Sequence, residues 1–133
     1  MSLTFSPPFP QVPYMPFADL SGTTTDKTGA TTTNMKTLVT AGTNGSKITL
    51  IGCKGAGTSV AATLLIFITD TSGTNPKLFD EIVISAVTSS NTIASFRAMN
   101  SYSDLELKSG QLIQVGVTAL SADIIAWAQQ GDF

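Results

Sequence analysis

A chain of 133 residues has room for one domain and at most an appendage, and it can bury a core without disulfide or metal staples. Only 12% of its residues are charged against 42% hydrophobic, and the seven basic residues are scattered singly around a net charge of −2, which argues against a nucleic-acid partner. Histidine is absent, so the usual general base near neutral pH and the commonest metal ligand are missing.

Residues 1–34 read as an extended arm and linker, distinct from a domain over residues 35–133. Five of the six prolines (Pro7, Pro8, Pro10, Pro13 and Pro16) fall in this arm. Proline fixes φ and donates no hydrogen bond, so the segment can be neither helix nor central strand and favours polyproline II. Phe5, Phe9, Val12, Tyr14, Met15 and Phe17 sit among the prolines, more large apolar side chains than a solvated linker carries. The arm is therefore expected to dock on a partner; folding back along its own domain is the alternative. It lacks the basic region and unbroken apolar stretch of a signal peptide, so the expectation is synthesis and retention in a cytosol. The threonine-rich stretch 21–33 reads as a surface loop.

From Met35 onward short apolar runs recur between turn signals, the pattern of an all-β chain. A first strand covers 35–40. The Asn44-Gly45 corner, a strong hairpin signal, leads into a second strand over 47–51. Gly52, Gly55 and Gly57 then loosen the chain. The run 60–70 is the element around which the rest is organised. Leu64, Ile66 and Ile68 lie on one parity and Leu65 and Phe67 on the other, so both faces are apolar. Such a strand must be central in a core or covered by a neighbouring subunit, because bare it would template aggregation. Further strands are expected over 77–84, where Ile82 and Ile84 share a face, and over 92–97, 105–108, 111–118 with Val115 inward, and 123–129. Trp127, between Ala126 and Ala128, is expected in the core. No segment sustains a helical period. Eight short strands in about a hundred residues fit a two-sheet antiparallel sandwich or a jelly roll preceded by the proline-rich arm, with a simple meander also open and the strand order not fixed by the sequence.

Residue chemistry points away from catalysis. Serine or cysteine triads have no candidate base, and Asp80, Glu81, Asp104 and Glu106 sit where solvent-facing residues would sit in any case. Asp70 and Asn75 flank a turn that could offer oxygen ligands to calcium, but it lacks the acidic density of a dedicated loop. No cofactor or metal is expected, and no run reaches the roughly 18 apolar residues of a membrane span. Cys53 has no partner for an internal disulfide and should pack as a small apolar residue. Trp127 and Tyr102 could form a sugar-stacking platform, although Trp127 between two alanines reads as core.

The segments Lys36–Ile48, Leu64–Asp70, Phe79–Thr88, Leu107–Leu112 and Trp127–Phe133 together resemble the small β-sandwich proteins of tailed bacteriophages that decorate or cement the capsid. The resemblance spans residues 35–133 and leaves the arm outside it. It implies a jelly-roll protomer, commonly a homotrimer, assembled in the host cytoplasm and seated on the virion surface where it bridges major capsid protein subunits without enzymatic activity. A tail-fibre or carbohydrate-binding β-sandwich is the alternative from another class.

Overall fold

The computed structural model describes residues 12–133. Phe5, Pro7, Pro8, Phe9 and Pro10 lie outside the described residues. The strands are β1 (Val12–Tyr14), β2 (Phe17–Leu20), β3 (Lys36–Thr40), β4 (Ser46–Gly55), β5 (Ala62–Ile68), β6 (Lys77–Ile84), β7 (Arg97–Leu107), β8 (Leu112–Val117) and β9 (Ile124–Asp132). No helix occurs among the described residues.

Two antiparallel sheets face each other. The first runs β1-β9-β4-β7 with β2 also on β9, and the second runs β3-β8-β5-β6. Tyr14 stands opposite Gln130 and Phe17 opposite Trp127, the same register on either side of Met15-Pro16, so β1 and β2 act as one interrupted edge strand. Counted that way the antiparallel pairs nest: β2 with β9, β3 with β8, β4 with β7, β5 with β6. One long hairpin, wrapped so that successive pairs alternate between sheets, is a jelly roll.

Wrapping changes the meaning of the turn signals. The Asn44-Gly45 corner turns as expected, with Gly45 at φ 90° and its N–H on the Gly42 carbonyl. It joins strands of different sheets, however, and builds no hairpin. Among the described strands only β5 and β6, joined through the Asp70–Asn75 loop, pair as chain neighbours. The strand expected over 92–97 is also displaced: 92–96 is irregular, and one strand runs from Arg97 through Leu107.

The core lies between the sheets. Leu64, Ile66, Ile82, Ile84 and Val115 are buried in it, and Ile68 packs against it half-buried. Ala18 and Leu20 of β2 belong to the same core. The boundary drawn at residue 34 therefore moves, because residues 12–20 are an edge of the sandwich and not part of a free arm. Pro13, opposite Gly131, is tolerated because an edge strand can spare a donor.

Leu65 and Phe67 point away from this core, yet both are fully buried. Their cover is the chain's own β2–β3 connection. Thr24 donates its N–H to the Val117 carbonyl on β8, Lys27 pairs with Glu81 of β6 at 2.6 Å, and Gly29 sits against the Pro76 carbonyl. That path runs from β8 to β6 and so crosses β5 between them. The stretch read as a surface loop is a strap, and the second face of the central strand needs no neighbouring subunit.

Candidate functional site

Among the described residues, the outer face of the first sheet carries no such strap. Register lays its outward side chains out in rows. One row runs Phe17–Trp127–Gly52–Met99 across β2, β9, β4 and β7. Beside it runs Asp19–Ile125–Lys54–Arg97, and on the other side Gln129–Leu50–Ser101. Phe17 is 69% exposed and Met99 37%.

Trp127 is thus not a core residue. It is half-buried on the outer face, and Ala126 and Ala128 take the core positions on either side of it. The physical reason is space. Opposing isoleucines, leucines and valines already fill the middle of the sandwich interior, where β9 presents only Ala126 and Ala128. The indole finds room outside because Gly52 has none of its own. A Cβ there would fall 2.7 Å from the indole Cζ2 and 2.9 Å from the Ala98 carbonyl oxygen. Arg97 closes the arrangement with its guanidinium 5.1 Å from the indole centroid, a cation–π stack.

The arm residues that can be placed extend this face. Pro13, Tyr14 and Met15 line an open groove of about 450 Å³ with Lys47, Thr49 and Gln129. Val12, Tyr14 and Met15 are exposed to 57%, 42% and 57%. The Pro16 carbonyl accepts the Ala128 N–H and holds the edge in register. Burial first, and then the Asp132 charge, raise the Tyr14 pKa.

Tyr102 does not join Trp127. It lies on the inward side of β7, where its hydroxyl donates to Asp80 Oδ2 at 2.6 Å and its ring meets Phe79 at 5.7 Å between centroids. Asn100 donates to the same oxygen at 2.9 Å. Because β6 and β7 belong to different sheets, this cluster clamps one side of the sandwich. Burial raises the Asp80 pKa, but bonds from Tyr102, Asn100 and the Glu81 N–H outweigh it and hold the group below its ordinary value.

The other acidic candidates have structural partners too. Asp70 accepts from the Ser72 and Thr74 N–H groups, the Thr74 hydroxyl and the Asn75 amide, so its oxygens are engaged by its own turn. Among the described residues no group of three or more Cys, Asp or Glu side chains could hold a metal ion. Asp104 and Glu106 are exposed on β7. Burial pushes the Cys53 thiol up to about 12, which keeps it an unreactive apolar filler.

Sequence reasoning missed the role of Gly52 and the pairing of Phe17 with Trp127. Parity along 123–129 separates Trp127 from Ala126 and Ala128, but both sides of that strand are apolar. Only the register against β4 shows which side is outside. No family model matches the chain, and no curated protein matches it.

Proposed function

We propose that the protein is a non-enzymatic structural component of a bacteriophage virion that decorates the capsid exterior and bridges major capsid subunits, docking through the outer face of the β2-β9-β4-β7 sheet. The observation that carries the docking role is the Phe17–Trp127–Met99 row, with Leu50 and Ile125 beside it. Aromatic residues, methionine and arginine are the types enriched in interface centres. Among the described residues the chain covers Leu65 and Phe67, the outward residues of the central strand of its other sheet, and leaves this row open. Assignment to a capsid rests on the sequence resemblance and on a thinly charged surface that is easily desolvated. In that setting many modest contacts repeated by symmetry stabilise a shell. The first eleven residues, proline-rich with two phenylalanines, supply a second contact to the capsid or an adjacent protomer. The test is sedimentation of purified protein with capsids stripped of decoration: co-sedimentation at saturable stoichiometry supports the reading, and its absence overturns it.

The cross-strand pair of exposed Phe17 and half-buried Trp127 favours one second reading, a carbohydrate-binding module of a virion, because stacked sugars use aromatic platforms. A glycan array separates the two: a defined set of bound glycans, lost on Trp127→Ala, would replace capsid docking as the function.

A further inference from the structure

Lys54 and Arg97 stand directly opposite each other on neighbouring strands of the open face. Like charges in that position destabilise a sheet pair. They are adjacent in a chain with only seven basic residues and a net charge of −2. The Lys54 ammonium donates to the neutral carbonyls of Gly55 and Ser95, at 3.0 and 3.1 Å, which orient it without cancelling its charge. Arg97 is exposed and held by its stack on Trp127, and it makes no ion pair or side-chain hydrogen bond among the described residues. Asp19, in the same row, is separated from Lys54 by the intervening strand β9, roughly 10 Å away at about 4.8 Å per strand.

We infer that the Arg97 guanidinium, with Lys54 on the neighbouring strand adding positive charge, is a receptor for a carboxylate, and that the partner of this face is a protein surface on which an Asp or Glu side chain projects from apolar surroundings. The inference deepens the docking role proposed for the face and rests on it. A stacked guanidinium keeps its planar fork of donors in one orientation, which suits bidentate capture of a carboxylate. The flanking residues decide the class of partner. Phe17, Met99, Leu50 and Ile125 offer apolar contact and no hydrogen bonds, which fits a protein surface better than a hydroxyl-covered glycan.

Trp127 is the single tryptophan, so its fluorescence reports this site alone. The probes are two short peptides, acetyl-Leu-Glu-Phe-Glu-Leu-amide and the same sequence with both Glu replaced by Gln. The Glu peptide should bind the full-length protein about tenfold more tightly, and that advantage should vanish between about 0.05 and about 0.5 M salt. Arg97→Gln should erase the difference by weakening the Glu peptide alone, whereas Phe17→Ser should weaken both peptides alike. Equal affinity of the two peptides, with Phe17→Ser still weakening both, overturns the carboxylate receptor and leaves the docking face standing. Absence of any response to either peptide overturns both readings. An oligogalacturonate that perturbs Trp127 at lower concentration than the Glu peptide assigns the site to an acidic glycan and overturns the protein partner.

Discussion

Trp127 contributes less to stability where it lies than a core aromatic would. An interior tryptophan cut to alanine costs about 3–5 kcal/mol. Half-buried on an outer face, Trp127→Ala should cost roughly 1–2 kcal/mol, the loss of partial burial plus the Arg97 stack. Thermal melts of the variant check this. Gly52→Ala is the harsher change despite its size. Its methyl group meets a backbone carbonyl as well as the indole, so overpacking should cost about 1–3 kcal/mol. Combining it with Trp127→Ala should recover only part of that loss, since the Ala98 carbonyl remains, and denaturant titration of the three variants measures the coupling. Asp80 makes the clamp between the sheets pH-dependent. Its folded pKa lies below the unfolded value near ~4, so its contribution is present above that value and is lost as pH falls through the folded one. Asp80→Ala should destabilise by about 1–3 kcal/mol at neutral pH, and the gap from wild type should close in acid.

At the scale of the element, the strap over β5 is the feature that frees the chain from needing a partner there. Gly29, at φ 81°, is its tightest point: a Cβ would fall 2.0 Å from the Pro76 carbonyl oxygen. Gly29→Ala should therefore unseat the strap, uncover Leu65 and Phe67, and raise binding of a hydrophobic dye, with a loss of about 1–3 kcal/mol in melts. The strap also marks where sequence reading runs out. Alternation reveals β6 and β8 with their inward residues, and an unbroken apolar run reveals β5, because a strand's pattern is local. Which sheet a strand joins is a property of distant pairs such as Val12 with Asp132, and nothing local encodes it. Hence the Asn44-Gly45 corner reads as a hairpin, although its two strands part into different sheets. Thr24 and Lys27 look like solvated loop residues because their partners, Val117 and Glu81, are far along the chain. Trp127 reads as a core residue for a related reason: size and hydrophobicity favour the core, and only Gly52 across the register reveals the room outside.

For the whole molecule, the edge strand changes what truncation should do. Removing residues 1–34 would strip β1, β2 and the strap, exposing the inner side of β9 and the outer side of β5. That protein should fail to give a cooperative melt, whereas removal of residues 1–11 alone should leave the sandwich folded with a cooperative melt. If the protein forms the trimer implied by its resemblance, β5 is not the contact, since both its faces are covered within one protomer. Sedimentation equilibrium of Phe17→Asp checks that the docking face is not the oligomer contact either: the variant should keep the wild-type oligomeric state. The central claim is that the Phe17–Trp127–Met99 face is the docking surface, and Phe17→Ser tests it most directly. Phe17 is 69% exposed, so the variant should melt within about 0.5 kcal/mol of wild type. Its occupancy on undecorated capsids, measured by co-sedimentation beside wild type, is predicted to fall at least about tenfold. A Phe17→Ser protein that decorates those capsids as fully as wild type would contradict the account.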